Sequence, residues 1–314
     1  MEKILDKIKE SNKIIITSHI SPDGDAIGSG LGLYLGLKKT FPEKKIDFIL
    51  QDSVPKNLKF LKGSDEIKKL DELKEKESYD LALVVDSANL DRIGKVKELI
   101  EDMFIINIDH HISNPKYGNL YLVRDISSTS ELMFNLLKTW NINIDLSMGE
   151  AIYTGIVNDT GNFSHDNTTK ETFTIAGELI ELGVNNSKIA KDFYFSRSYV
   201  GIKLLGKAFE EMVFIPEKKF TYFYLSYEDL EKLGGTKEDT EGLVEEINSL
   251  LESEVSLFLR GEPDGKIKGS MRSKRDVDVN KIAGLFGGGG HIKAAGFSTG
   301  LNAMEIIEIV KNNL

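Results

Sequence analysis

In the first half of the chain, short apolar runs alternate with segments whose apolar positions recur every three or four residues. The apolar runs predict buried strands at residues 13–18, 46–50, 79–86 and 104–109. The helical spacing predicts helices at residues 27–39, 129–140 and 147–158. Such alternation is typical of an α/β fold, in which helices flank a mainly parallel sheet. We therefore predict an N-terminal α/β domain.

The pattern changes near residue 186, where a long stretch with helical spacing begins and runs to residue 211. Beyond it, strands are predicted at residues 219–225, 254–260 and 266–272, and helices at residues 238–252 and 278–286. These shorter elements predict a second, smaller α/β domain. The predicted organisation is a first domain at residues 1–185, a helical connector at 186–214 and a second domain at 215–314.

The composition agrees with two domains and restricts the chemistry. The chain has 314 residues, which exceeds the usual size of a single hydrophobic core. It contains no cysteine, so a metal ion would be bound by histidine, carboxylate or water. The formal net charge of −10 argues against binding of long nucleic acid, which depends on releasing counterions from many phosphates. A short phosphorylated ligand fits this charge, since metal ions and a few cations can neutralise it.

The N-terminus is charged and amphipathic, and it lacks the apolar core of a signal peptide. No apolar run approaches the ~20 residues that are needed to span a bilayer. The sequence therefore predicts a cytoplasmic protein without a membrane partner.

Side chains that can bind metal follow three of the predicted strands. His19 comes after the first strand, Asp86 ends another, and the triplet Asp109-His110-His111 ends a third. Open parallel sheets bind ligands at the carboxyl ends of their strands. We therefore expect these side chains to meet at one edge of the sheet.

The first motif is His19-Ile20-Ser21-Pro22-Asp23-Gly24-Asp25-Ala26. Its imidazole and two carboxylates lie close together in sequence, and the intervening glycine lets both carboxylates turn toward one pocket. Such donors suit Mn²⁺ or Mg²⁺, and the imidazole favours manganese. The alternative is an Asp-Gly turn with an incidental histidine.

Three further positions each have a functional and a structural interpretation. Asp86 follows a buried strand, where a carboxylate is costly unless it is paired or binds metal, but it could cap the next segment. The adjacent side chains of His110 and His111 diverge, so one could bind metal while the other faces substrate; a structural pair is the alternative. Asp159, in Asn158-Asp159-Thr160-Gly161-Asn162-Phe163, could be a ligand or the end of a helix.

In the second domain, the run Gly287-Gly288-Gly289-Gly290 precedes His291. Consecutive glycines let backbone N–H groups approach an anion, and His291 could add a donor. Arg272 and Lys274 could contact phosphate from the same domain. A solvated edge strand is the competing interpretation of these two residues.

Taken together and in this order, the motifs resemble those of the DHH phosphoesterase superfamily, named for the Asp-His-His triplet. Residues 15–165 resemble the DHH catalytic domain, and residues 215–314 resemble the DHH-associated C-terminal domain. The length and layout are similar to the stand-alone branch, whose members degrade nanoRNA and dephosphorylate pAp, or hydrolyse pApA or cyclic di-AMP. The sequence shows no third, OB-like domain, which disfavours the branch of long-strand exonucleases. The triplet is Asp-His-His rather than Asp-His-Asn, which disfavours the inorganic pyrophosphatase branch.

The resemblance implies two Mn²⁺ ions, for which Mg²⁺ or Co²⁺ could substitute. It implies that His19, Asp23 and Asp86 bind one ion. It implies that the other ion is bound by Asp25, Asp86, His110 and Asp159, so that Asp86 bridges the two. Asp109 is expected in a supporting position, and His111 is expected to contact the scissile phosphate. Arg272, Gly289, Gly290 and His291 match positions that hold the terminal phosphate or nucleotide.

The implied activity is hydrolysis of short oligoribonucleotides to 5′-mononucleotides, of pAp to AMP, or of both. Alternatives are a phosphodiesterase for pApA or cyclic di-AMP, a nucleotide sensor without turnover, and hydrolysis of short polyphosphate. Phe163, Tyr194 or Phe195 could stack a base, with core packing as the alternative for each. The resemblance also favours a homodimer.

Overall fold

The computed structural model describes residues 1–73, 78–194 and 196–314, which form two compact units, Met1–Ser196 and Arg197–Leu314. Phe195, one of the candidate base-stacking residues, lies outside the described residues. The segment predicted as a helical connector contains two helices, of which one belongs to each unit. Within the described ranges, no helix has the length and apolar character needed to cross a membrane.

The first unit is an α/β fold, as predicted. Its strands are β1 (Lys13–Thr17), β2 (Lys45–Leu50), β3 (Lys68–Lys69), β4 (Leu81–Val85), β5 (Phe104–Asp109) and β6 (Leu120–Val123). Its helices are α1 (Glu2–Glu10), α2 (Gly24–Thr40), α3 (Val96–Ile100), α4 (Thr129–Thr139), α5 (Leu146–Asp159), α6 (Lys170–Glu181) and α7 (Asn186–Tyr194). The predicted strand at residues 104–109 is confirmed to the residue.

The strands of the first unit form one parallel sheet in the order β3-β2-β1-β4-β5-β6. From β1 the chain first builds the sheet outward through β2 and β3, and it then returns to place β4 on the other side of β1. The boundary between β1 and β4 is therefore a topological switch point, where open α/β sheets bind ligands. The loops that carry His19 and Asp86 begin there.

Both faces of this sheet are covered by apolar side chains, which explains why its strands are continuous apolar runs. Ile14 and Ile16 of β1 pack in the core that includes α2, α4 and α5. Ile15 points to the opposite face, where it packs with Val96 and Ile100 of α3. Side chains alternate between the two faces of a strand, so a strand that is buried on both faces needs apolar residues at every position.

Close packing of α2 against α5 brings distant parts of the chain together at the carboxyl edge of the sheet. Three glycines of α2, spaced four residues apart, face α5: Gly28, Gly32 and Gly36. A β-carbon on Gly28 would lie 2.4 Å from the carbonyl oxygen of Ala151. Residues four apart share one face of a helix, so the glycines form a face without side chains, against which α5 packs.

The second unit is built on a mixed sheet in the order β11-β12-β10-β9-β8-β7. Its strands are β7 (Val213–Ile215), β8 (Phe220–Leu225), β9 (Val255–Gly261), β10 (Ile267–Ser273), β11 (Gly289–His291) and β12 (Ala294–Thr299). Its helices are α8 (Tyr199–Glu211), α9 (Tyr227–Lys232), α10 (Leu243–Asn248), α11 (Val279–Gly284) and α12 (Ala303–Asn312). Strands β8 and β9 are parallel, and the other neighbours are antiparallel.

Three predicted elements differ from the structure for local reasons. The long helix at residues 186–211 is broken, because Ser198 caps a new helix by accepting a hydrogen bond from the N–H group of Gly201. The helix at residues 238–252 is reduced to α10, because Gly242 adopts a left-handed φ of 76° that ends any helix before it. The glycine run is partly a strand, since β11 pairs with β12.

We predict that Gly28→Ala lowers the free energy of unfolding by about 1–3 kcal/mol, because the added methyl group meets backbone atoms of α5 that have no room to shift. Urea-induced unfolding at a fixed metal concentration measures this change. Gly177→Ala is the matched control, since Gly177 is exposed on α6 with open space around it. That substitution should raise stability by up to about 1 kcal/mol. Equal stabilities of the two variants would contradict the close-packing interpretation.

Candidate metal centre

His19 is oriented by the loop that follows β1. Its Nδ1 atom lies 2.9 Å from the carbonyl oxygen of Ile20, which can only accept a hydrogen bond. Nδ1 therefore carries a proton, and Nε2 is the nitrogen that can bind a metal once its own proton is displaced. Nε2 lies 3.7 Å from Asp23 Oδ1 and 3.4 Å from Asp86 Oδ2. The same Asp23 oxygen caps α2, which fixes the start of that helix beside His19.

Asp86 lies between two histidines and presents one carboxylate oxygen to each. Oδ2 faces His19, whereas Oδ1 lies 3.7 Å from Nε2 of His110 and accepts a 3.0 Å hydrogen bond from the Thr129 hydroxyl. The residue has a φ of 50°, a left-handed conformation that costs energy for any side chain except glycine. Burial opposes ionisation of Asp86, but the His19 hydrogen bond and the neighbouring histidines hold its pKa below the ordinary value.

The adjacent histidines of the triplet point in different directions, as predicted from their adjacency. His110 Nδ1 donates to the carbonyl oxygen of Ile126 at 3.2 Å, and its Nε2 lies 3.1 Å from Asp159 Oδ2. His111 Nδ1 lies 2.8 Å from Oδ1 of the fully buried Asp109. The Nδ1 atom of each ring is thus engaged by protein, and Nε2 of His110 faces the Asp159 carboxylate.

Asp25 and Asp159 come from the start of α2 and the end of α5, which the glycine-lined packing brings together. The two oxygens of Asp25 accept hydrogen bonds from the N–H groups of Thr129 at 2.7 Å and Ser130 at 2.8 Å. These N–H groups belong to the first turn of α4, where the helix dipole stabilises negative charge. Asn158 donates to the Oδ1 atom of Asp159 at 2.8 Å, which leaves Oδ2 facing His110.

The structure thus brings together the candidate side chains of the first unit. Three overlapping groups have ligand atoms within 4.8 Å of one another: His19, Asp23 and Asp86; Asp25, His110 and Asp159; and Asp86, His110 and His111. Among the described residues, Asp109 belongs to none of these groups, and it lies behind His111 instead. Its role as a supporting ligand stays a prediction.

The carboxylates of this cluster repel one another, and a cation would neutralise that repulsion. Burial raises the pKa of Asp25 well above its ordinary value, and the charges of Asp159 and Asp86 raise it further. Burial opposes protonation of His19, but hydrogen bonds to Asp23 and Asp86 outweigh it and raise its pKa well above the usual range. Protons thus offset part of the carboxylate repulsion. A divalent cation would offset it more fully and would bind the Nε2 atoms of His19 and His110 in place of their protons, so this donor set fits a divalent metal.

In the second unit, Arg272 and His291 lie on the same face of the sheet, because both are paired with Ala294 of the strand between them. Arg272 donates through Nε and Nη2 to Oε1 of Glu245, at 2.9 and 2.5 Å. Arg272 also donates through Nη1 to the carbonyl oxygen of Met271, and Lys274 donates to the carbonyl oxygen of Leu250.

Within the glycine run, Gly288 and Gly290 approach neighbouring backbone too closely for side chains. A β-carbon on Gly290, whose φ is 156°, would lie 2.4 Å from the carbonyl oxygen of Ala294. The N–H group of Gly290 donates to Asn280 Oδ1 at 2.8 Å. The anion-binding prediction for this N–H group therefore requires a ligand to compete with Asn280. The roles of Arg272, Gly289, Gly290 and His291 in substrate binding stay predictions.

Two of the candidate base-stacking residues have neighbours within their own unit. Phe163 is partly buried, and its ring centroid lies 5.3 Å from that of Phe173 and 6.0 Å from that of Tyr153. The hydroxyl group of Tyr194 donates to the carbonyl oxygen of Val157 at 2.7 Å. These contacts agree with the packing alternative for both residues.

Sequence reasoning missed the residues that orient the cluster, chiefly Thr129, Ser130 and Asn114. Thr129 and Ser130 follow Ser128, whose side chain caps α4. A capping serine just after β6 could have indicated a helix N-terminus at the sheet edge. Asn114 gave no such signal, because its contacts depend on the path of the loop after the triplet.

Comparison with known proteins places this chain in a family. Residues 13–156 match the model described as "DHH family, N-terminal domain", and residues 217–314 match the DHHA1 domain. The chain belongs to the DHH family, which confirms the resemblance seen in its motifs. Family membership and the clustered donors together indicate a divalent-metal site.

Its relatives include two proteins named bifunctional oligoribonuclease and PAP phosphatase NrnA, both 34% identical. The match to the Thermus thermophilus protein covers 90% of this chain and 83% of that protein. The match to the Bacillus subtilis protein covers 91% of this chain and 88% of that protein. Among solved structures, an exopolyphosphatase-related protein from Bacteroides fragilis superposes with a TM-score of 0.92 at 30% identity, covering 99% of this chain and 94% of the other.

We predict that metal affinity increases as pH rises. The pKa values of His19 and His110 are raised well above the ordinary range by neighbouring carboxylates, despite burial, so the metal-free protein holds protons that a cation must displace. Calorimetric titration of Mn²⁺ in two buffers with different ionisation enthalpies should show release of about one proton or more at neutral pH. An affinity that is constant between about pH 6 and about pH 8 would contradict this expectation.

Proposed function

We propose that this chain is a manganese-dependent phosphoesterase that hydrolyses short oligoribonucleotides to 5′-mononucleotides and pAp to AMP. The NrnA relatives, whose names describe both activities, support the choice of substrates. The net charge of −10 agrees with substrates that carry few phosphates. The cytoplasmic location, the homodimer and the domain boundaries stay predictions from the sequence.

One observation carries the proposal: Asp86 turns its two carboxylate oxygens toward different groups of ligands. Oδ2 faces His19 and Oδ1 faces His110, and each histidine belongs to a separate group with its own carboxylates. This is the arrangement expected of a carboxylate shared by two cations. When bound, two cations would acidify a water molecule and stabilise negative charge on the phosphoryl oxygens.

The donor set favours Mn²⁺ over Mg²⁺. Magnesium prefers oxygen ligands and retains water, whereas imidazole donors shift the preference toward manganese. His19 and His110 each present Nε2 to the carboxylates while Nδ1 is engaged by a backbone carbonyl. Both rings are thereby fixed as ligands before a metal binds.

His111 is the side chain that we assign to the scissile phosphate. Asp109 engages its Nδ1 atom, and we assign Nε2 to donate to a phosphoryl or leaving-group oxygen of the substrate. The hydrogen bond to Asp109 fixes the orientation of the ring. His111 would thus stabilise charge that develops in the transition state.

Arg272 and His291 of the second unit are assigned to the far end of the substrate. They share one face of the sheet, and a guanidinium group suits a terminal phosphate because it can donate two parallel hydrogen bonds. Glu245 holds the Arg272 guanidinium in place before substrate arrives. Binding of one terminal phosphate favours short substrates, because a longer strand gains no additional binding energy from this contact.

Hydrolysis of pApA or cyclic di-AMP would use the same centre, and a side-by-side rate comparison with pAp and nanoRNA ranks these substrates. A nucleotide sensor is the alternative of a different class. Ligands that remain intact after long incubation with protein and Mn²⁺ would favour the sensor.

We predict that Asp86→Ala and His110→Ala each lower the hydrolysis rates of pAp and pApA by about 100-fold or more, because each removes a charge-stabilising ligand from the centre. Rates are measured after the metal is stripped and Mn²⁺ is restored. Asp102→Ala is the matched control, since Asp102 is exposed in the turn before β5. Full activity in either of the first two variants would contradict the two-metal proposal.

A further inference from the structure

Asp109, the partner of His111, belongs to a buried polar network whose other members have no part in the proposed mechanism. Asp109 is fully buried, and both of its oxygens have partners: Oδ1 engages Nδ1 of His111 at 2.8 Å, and Oδ2 accepts from Nδ2 of Asn114 at 2.6 Å. A buried carboxylate with an unpaired oxygen would be costly, so Asn114 stabilises Asp109 in the orientation that engages His111.

The orientation of the Asn114 amide is fixed by its surroundings. Its Oδ1 atom accepts a hydrogen bond from the N–H group of Lys116 at 2.7 Å, so its NH₂ group must face the other way. That NH₂ group lies 2.6 Å from Asp109 Oδ2 and 2.8 Å from Asn107 Oδ1. A flipped amide would place an oxygen against the Asp109 carboxylate, so the structure specifies a donor at this position.

The network continues to the loop that carries Asp86. Asn107 Nδ2 lies 3.1 Å from the hydroxyl oxygen of Tyr117, and the Tyr117 hydroxyl donates to the carbonyl oxygen of Ser87 at 3.0 Å. Ser87 directly follows Asp86, whose left-handed φ of 50° requires support from its neighbours. The side chain of Asn114 is therefore held by residues outside its own loop.

We infer that Asn114 is a positioning residue for catalysis, which sets the orientation of His111 by holding Asp109. This inference rests on the proposed function, because it concerns the step in which His111 meets the scissile phosphate. The hydrogen bonds of Asn114 described above reach neither His111 nor the other candidate metal ligands of the three groups. Its shortest hydrogen bond is the one to Asp109, at 2.6 Å, and we expect its effect on His111 to pass through that bond.

The kinetic test is a double-mutant cycle between Asn114 and His111. Asn114→Ala should lower kcat for pAp by about 10- to 100-fold, with little change in KM or in the Mn²⁺ concentration for half-maximal activity. In a His111→Gln background the same substitution should cause no further loss, because the group that it positions is gone. An equal loss in both backgrounds, or a loss confined to KM or to metal dependence, would overturn the inference.

Asn119→Ala is the matched control for folding. Asn119 lies five residues along the same connection, where its side chain accepts a hydrogen bond from the N–H group of Ile105, outside the network. Thermal unfolding of each variant gives its folded fraction, and kcat is divided by that fraction. The control should keep the wild-type kcat for folded protein, and a loss as large as that of Asn114→Ala would count against a specific role for Asn114.

A second readout does not depend on activity. The chain has five histidines, so the ring nitrogens can be resolved by NMR in the ¹⁵N-labelled, Mg²⁺-loaded protein, and the His111 signals are those missing from His111→Gln. We expect a protonated Nδ1 for His111 in the wild type and in Asn119→Ala, and a mixture of ring forms in Asn114→Ala. Identical His111 signals in all three proteins would overturn the inference. Absence of hydrolysis by the wild type would instead overturn the proposed function.

Discussion

Repulsion among clustered carboxylates is the constraint around which this structure is organised. Four aspartates meet at the carboxyl edge of the first sheet: Asp25 and Asp86, which are buried, Asp159, which is partly buried, and Asp23, which is exposed. Taking such charges out of water is costly unless each is paired or hydrogen-bonded. The fold supplies partial compensation through the first turn of α4, which donates to Asp25, and through histidines whose other nitrogen is engaged by the backbone. The remaining negative charge is what a pair of divalent cations would neutralise.

The scaffold that holds these charges together depends on small residues and on topology. Glycines on α2 let α5 approach closely, so that Asp25 at the start of one helix meets Asp159 at the end of the other. The sheet order places β1 beside β4, so that His19 and Asp86 lie at a switch point. A fixed framework of this kind orients catalytic groups before substrate arrives, which reduces the reorganisation needed in the transition state.

Much of this site could be predicted from the sequence, because its signals are local. A run of apolar residues that ends in Asp86 or in the Asp109 triplet identifies both a buried strand and the polar group at its end. The roles of Thr129 and Asn114 could not be found in this way. Their hydrogen bonds join segments that are far apart in sequence or depend on a loop path, and neither leaves a periodic pattern. The helix break at Ser198 could not be predicted, because a capping residue can end one helix while the apolar residues around it still keep helical spacing.

The central claim is that Asp86 is shared by two metal ions. Electron paramagnetic resonance of the metal-free protein titrated with Mn²⁺ tests this claim most directly, because it reports both the number of bound ions and the coupling between their spins. The account predicts two bound Mn²⁺ ions per chain with an exchange-coupled spectrum at saturation. A single bound ion, or two ions whose spectrum is that of isolated Mn²⁺, would contradict it.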